Sequence, residues 1–256
     1  MKKLIIGIIF LVGSFSFANG ITGLEVMEKV YNRDTGNSQS SKMTMTLENR
    51  YGDKRVRKIV QFLKDFGKVE KKIMFFTAPS DVKNTSFMSW SYDNENKSDE
   101  QWIYLPAIKR IKRISSDNKS DYFMGSDFTY DDLGDRKPTD DNNKIVKMEQ
   151  MNNEECYVVE SISKEEDYIY SKVISWVIKD KWVGLKREFY DEDGELLKTL
   201  EVKEIKNMDG ILTIMKSVMT NVQKNHKTAI ELEDVIYNTA VSDRQFTERM
   251  MKRGVR

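Results

Sequence analysis

Three aspartates, Asp127, Asp131 and Asp132, lie close together in the chain and are the residues best suited to acid–base chemistry. Paired carboxylates serve glycosidases, and acidic clusters can ligate calcium. The calcium-loop spacing, with its Gly and distal Glu, is absent. Acid–base work also needs one carboxylate in an apolar pocket, which no residue pattern here specifies. The three acids therefore read as a solvated loop with caps and local salt bridges. His226 is the only histidine; it lies beside Lys224 and Lys227 and reads as a surface residue. Cys156 is the only cysteine; it opens an apolar run, CYVVESI, and reads as a small buried side chain. One His and one Cys exclude most zinc sites and any disulfide within the chain. Neither a Gly-rich phosphate loop nor a dinucleotide fingerprint is present. No catalytic residue, metal or cofactor is assigned.

The second group is basic: Lys109, Arg110, Lys112 and Arg113, inside AIKRIKRI. On a strand these charges fall on both faces. Edge strands often carry Lys and Arg to block aggregation. The functional alternative is a basic rim that attracts an anionic partner. Nucleic acid is not expected: the patch is short, and 42 basic residues balance 41 acidic ones in the 256-residue chain.

The third group is apolar. Fourteen methionines and four tryptophans are spread over many segments. Met adapts to irregular spaces, so faces rich in Met, Phe and Trp can line an apolar cavity or fill a core.

The elements that position these residues are mostly strands. Thr22-Gly-Leu-Glu25 forms a capping box, and Leu24, Met27, Val30 and Tyr31 follow at helical spacing. The period then becomes two. Met43, Met45 and Leu47 alternate with polar residues; Val56, Val60 and Phe62 share a face; so do Val69, Ile73 and Phe75. Further strand-like runs are 85–92, 100–105, 108–114, 144–151, 155–162, 168–179, 185–191, 195–206, 211–223 and 227–236. Asp193-Gly194 and Asp209-Gly210 are hairpin pairs. A dozen or so strands in series imply one strongly curved antiparallel sheet, too wide for side chains alone to fill as a barrel. Residues 115–143 contain no strand but carry Tyr122, Phe123, Met124, Phe128, Tyr130 and Leu133. Ser126 can cap a short helix there, ending at Gly134. The segment reads as a packed lid over the sheet or a loop pinned outside it. With the first helix, it is an available plug. Residues 242–253 form a short helix capped by Ser242 or an extended edge segment.

Residues 1–18 read as a signal peptide: Lys2 and Lys3 precede an apolar run, Leu4 to Val12, too short to span a bilayer comfortably. Cleavage suits Ala18 or Gly20. The rest, 19–256, reads as one exported domain.

QWIYLPAIKRIKRISS (101–116) and FMGSDFTYDDL (123–133) resemble the LolA-like outer-membrane lipoprotein-sorting proteins. So do the opening helix, the strand segment SKMTMTLENRYGDKRVRKI and the ending FTERMMKR. The resemblance implies a mainly β fold: an unclosed antiparallel β-barrel with an N-terminal helix and a short lid helix in its mouth. It implies a periplasmic carrier of lipid or lipoprotein acyl chains, with only transient membrane contact. An inner-membrane RND/MMPL-type exporter is the implied partner, and a docking accessory that carries nothing is the alternative role. The expected cavity residues are Met43, Met45, Leu47, Val60, Phe62, Ile73, Phe75, Trp90, Trp102 and Tyr104, with Phe123, Met124 and Phe128 in the lid. Glu at Phe62 or Phe75 is expected to abolish lipid retention and leave the fold largely intact.

Overall fold

The computed structural model describes residues 20–94 and 97–255; the expected signal peptide lies outside them. The first helix, α1 (Gly23–Tyr31), starts at the capping box: the Glu25 N–H donates to Thr22 Oγ1 at 3.2 Å, and the Thr22 N–H donates to Glu25 Oε2 at 2.7 Å. Six strands follow: β1 (Ser38–Glu48), β2 (Lys54–Asp65), β3 (Val69–Ala78), β4 (Ser86–Tyr92), β5 (Glu100–Leu105) and β6 (Arg110–Ile114). After the long connection come β7 (Asp141–Met151), β8 (Glu154–Ser163), β9 (Lys172–Ile178), β10 (Gly184–Tyr190), β11 (Leu196–Met208), β12 (Ile211–Asn221) and β13 (His226–Tyr237). Asp209 and Gly210 both take positive φ between β11 and β12, as a primed two-residue turn requires.

All thirteen strands form one antiparallel sheet, in the order β6-β5-β4-β3-β2-β1-β13-β12-β11-β10-β9-β8-β7. Two meanders meet at a central seam, where β1 pairs with β13 through Met43↔Leu232 and Met45↔Ile230. The outermost strands, β6 and β7, do not pair, so the barrel stays open. They are nonetheless consecutive in sequence. The connection between them must cross from one sheet edge to the other, which accounts for its length.

That connection takes the form of four 3-10 turns, at Ser116–Asn118, Phe123–Gly125, Asp131–Leu133 and Pro138–Asp140, where a short helix was expected. It packs against the sheet on both sides of the seam. Phe123 joins Met43, Met45, Leu47, Ile59, Met74, Phe76 and Phe87, while Phe128 joins Tyr170, Phe189 and Met219. Ile230, on the seam, touches both groups. The sheet thus wraps around a plug.

The opposite face of β2–β6 is covered by the C-terminus. Ser242 caps a 3-10 turn (Asp243–Gln245), and Thr247 caps a second helix, α2 (Glu248–Arg253). Val241, Phe246 and Met251 cover Ile73, Phe75, Met88 and Tyr104. Helix α1 lies against β7 and β8, with Val26 buried on Val159 and Val177. A Cβ at Gly23 would come within 2.6 Å of the Asn143–Lys144 backbone, so this approach requires glycine.

Candidate functional site

The ten expected cavity residues occupy both faces of the sheet. Met43, Met45 and Leu47 face the plug. Phe62, Ile73, Phe75, Trp90, Trp102 and Tyr104 face the C-terminal segment, and Val60 lines a groove against that same segment. They do not form one surface. Alternation explains the division: Ile73 and Phe75 point one way, Met74 and Phe76 the other, and all four are buried. Trp90 and Trp102 meet at 5.1 Å between ring centroids, and Phe66 and Phe246 at 5.7 Å. Phe75 is 1% exposed in this packed layer. Glu at that position would be buried without a partner and would break the fold, contrary to the expectation that the fold survives.

The basic run takes the edge position. Lys109 sits in the preceding turn with φ 52°, and Arg110, Lys112 and Arg113 are exposed on β6, the last strand of the sheet. Arg113 pairs with Glu100 at 2.7 Å. None of the four lines the cavity described below.

The plug is gripped through its carbonyl groups. Arg57 donates to the Met124 oxygen, Gln101 to that of Tyr130 (2.9 Å), Lys72 to that of Leu133 (3.0 Å) and Lys198 to that of Asp127 (3.1 Å). Met124 is held at φ 51°, an unfavourable region for a non-glycine residue. Phe123 makes ring contacts with Phe87 at 5.2 Å, Tyr130 at 5.6 Å and Phe76 at 5.9 Å.

The acidic cluster is largely buried, which corrects the reading of a solvated loop. Lys198 Nζ lies 2.5 Å from Asp132 Oδ2, and their side chains are 0% and 5% exposed. Tyr170 donates to Asp132 Oδ1 at 2.9 Å, and Tyr168 to Asp131 Oδ2 at 2.6 Å. Asp127 accepts from Thr228 Oγ1 at 2.6 Å and meets His226 Nδ1 at 2.8 Å, so His226 is a partner of the plug and not a lone surface residue. Burial pulls the Lys198 ammonium below its ordinary value, against the attraction of Asp132. Burial raises the Asp131 carboxyl. It also pushes the Tyr168 and Tyr170 phenols far above their usual range, with the carboxylates adding to it, so both remain neutral donors. The partners Lys198, Tyr170 and His226 come from distant segments. Their one local signal is Lys198 itself, a cation in step with the apolar residues Leu200 and Val202 along β11.

Beyond this network the plug leaves space. A cavity of about 390 Å³ lies between α1, residues 131–138 and β8–β12. Its apolar walls include Met27, Val30, Val173, Phe189, Leu200 and Val202. Polar groups line it too: Asp131, Asp135, Arg136, Lys137 and Tyr168, which also line an adjoining cleft of about 750 Å³, and Ser175, Lys186 and Arg187 from the sheet. The Arg136 guanidinium stacks 3.8 Å from the Tyr168 ring centroid and bonds Asp141 at 2.6 Å. A chamber that joins apolar walls to polar groups suits an amphiphile.

Known proteins supply a frame for this geometry. A family described as "Uncharacterized protein" matches residues 68–253. No curated protein matches the chain. The crystal structure of a putative outer membrane lipoprotein-sorting protein domain from Vibrio parahaemolyticus is 33% identical. Its TM-score is 0.83, over 90% of this chain and 98% of that one. A DUF1329 family protein from Desulfovibrio piger is 28% identical, with TM-score 0.84 over 90% and 97% of the two chains. A LolA superfamily protein from Nitrosomonas europaea, 18% identical with TM-score 0.69 over 90% and 100%, shares the fold.

Proposed function

Because the chain belongs to the LolA-like outer-membrane lipoprotein-sorting family, we propose that it is a periplasmic carrier that shelters the acyl chains of a lipid or lipoprotein. The cavity beneath α1 carries this reading: it joins apolar walls to polar groups and is closed on one side by a single short helix. Burying an acyl chain contributes about 0.8 kcal/mol per CH₂, or roughly 11 kcal/mol gross for fourteen of them. Such a carrier needs a gate so that cargo can leave. The plug is too firmly gripped to serve, whereas α1, one short helix, rests on the sheet through Gly23, Val26, Met27 and Val30. Cargo would enter and leave as α1 lifts, with its polar end towards Arg136, Lys137 and Tyr168.

The reading is non-enzymatic, because Asp127, Asp131 and Asp132 are all engaged in bonds that hold the plug. Residues 1–18 would direct export and be removed, leaving one domain from 19 onward. An inner-membrane RND/MMPL-type exporter is the partner that fits this role. The docking accessory without cargo is favoured by one observation, the solid packing of the β1–β5 half around Phe123.

The test is native mass spectrometry of protein purified from its own periplasm without detergent, followed by lipid extraction. A discrete added mass resolving to an acylated molecule is expected. Leu200→Trp and Val173→Trp should remove it while the protein stays folded. Bound lipid that survives both substitutions sinks the cavity assignment; a bare wild-type mass favours the docking role.

A further inference from the structure

A second cleft, of about 640 Å³, opens where the turn between β1 and β2 meets the turn between β12 and β13. Arg50 and Tyr51 come from the first turn, Lys224 and His226 from the second, and Tyr122 and Gly125 from the plug. Arg50 and Lys224 are both exposed, and among the described residues neither has a carboxylate partner. Arg50 donates to the Tyr51 hydroxyl at 2.6 Å, and the Lys224 ammonium lies 4.0 Å from the Tyr122 ring centroid. The one carboxylate among the described lining residues, Asp127, is 2% exposed, and its oxygens are occupied by Thr228 and His226. That contact fixes the imidazole by Nδ1 and leaves Nε2 as its free nitrogen. Tyr122 Oη accepts from Asn221 at 3.0 Å and keeps its own proton to donate. Two unpaired cations, an oriented imidazole and phenol donors are what a compact, multiply charged oxyanion requires.

We infer that this cleft binds a phosphate-type anion, held by Arg50, Lys224 and His226 Nε2. The imidazole donates to a phosphate oxygen when it carries its second proton and accepts from a protonated phosphate otherwise. Tyr51 is 74% exposed beside Arg50, which places an amphipathic ring at the lip of the site. The phosphate could belong to a lipid headgroup or to a soluble phosphorylated molecule. The site is separate from the acyl cavity, with which it shares no lining residue.

The chain's single histidine makes the test direct. The ring C–H resonances of His226 are followed by NMR at fixed pH while sodium phosphate is titrated, with sodium chloride at matched ionic strength as control. A saturable shift with phosphate alone is expected, weakened at least tenfold in an Arg50→Ala/Lys224→Ala variant whose remaining spectrum is unchanged. No saturable shift, or one equal in the variant, overturns the assignment. Flotation with phosphatidylglycerol vesicles but not phosphatidylcholine vesicles, lost in the variant, identifies a lipid headgroup as the source. Phosphate saturation without flotation identifies a soluble phosphorylated ligand. Leu200→Trp, which fills the acyl cavity, leaves the phosphate titration unchanged, so the two readings fail separately.

Discussion

The two halves of the sheet are built alike but filled differently. Between β1 and β5 the plug presents Phe123, Met124 and Tyr130, and the space is solid. Between β8 and β12 it presents Phe128, packed on Phe189 and Met219, and the charged residues Asp131, Asp132, Asp135, Arg136 and Lys137, and a cavity remains beside them. Beyond Tyr130 the plug turns from mainly aromatic to mainly charged, and the cavity lies beside the charged stretch. Charged side chains cannot fill an apolar space without partners. Beside the cavity they are held by partners, Asp132 by Lys198 and Arg136 by Asp141. The wide barrel is therefore neither a plain core nor a plain pocket; one connecting segment makes it both.

This contrast can be broken at several points. The largest effect is expected at the Lys198–Asp132 pair, which ties the plug to β11. Asp132→Ala or Lys198→Met strands a buried charge or its partners, and should cost about 3–5 kcal/mol in chemical denaturation. A loss below about 1 kcal/mol would mean that the plug does not depend on the pair. Phe123→Ala, in the solid half, should cost about 3–5 kcal/mol. Leu200→Ala, beside the cavity, should fall at or below the bottom of the usual range of about 2–5 kcal/mol, because it leaves contacts on one side only. Equal costs at the two positions would erase the distinction between solid and hollow. Gly23→Val should lift α1 from β7, cost about 1–3 kcal/mol and speed the exchange of a fluorescent fatty acid; unchanged exchange would remove α1 as the gate.

The smallest effect concerns pH. Burial raises the Asp131 carboxyl in the folded protein. Above about pH 4, the unfolded chain loses this proton first. The folded state then binds more protons, so this group's contribution falls as pH rises towards the raised value, and is constant beyond it. Asp131→Asn keeps an acceptor for Tyr168 and should flatten that part of the stability profile. An identical profile in the variant would show that the group does not titrate in this window.

Much of the fold was legible in the residues. Strand periodicity located all thirteen strands, and Thr22 with Glu25 marked the start of α1. The end of the 168–179 run differed: Tyr168 and Tyr170 leave the sheet to serve Asp131 and Asp132. The assignment of faces was not legible. Period two says which residues share a side, but not which side of β1 joins which side of β2. The run Ile73-Met-Phe-Phe76 was the available hint, since four consecutive apolar residues imply a strand covered on both faces. The acidic cluster was misread for a related reason. A solvated loop and a buried network differ only in their partners, and those partners lie on strands distant in sequence.

The seam has a further consequence, for how the molecule is made. β1 emerges early from the ribosome, yet one of its two hydrogen-bonding edges belongs to β13, the last strand. Until β13 is available, Met43 and Met45 stand on a strand with an open side, a template for the wrong neighbour. A pairing between such remote segments also closes slowly, because the intervening chain must be ordered first. The newly made chain therefore carries its greatest risk of misassociation before β1 and β13 have paired, and that pairing joins its two meanders into one sheet.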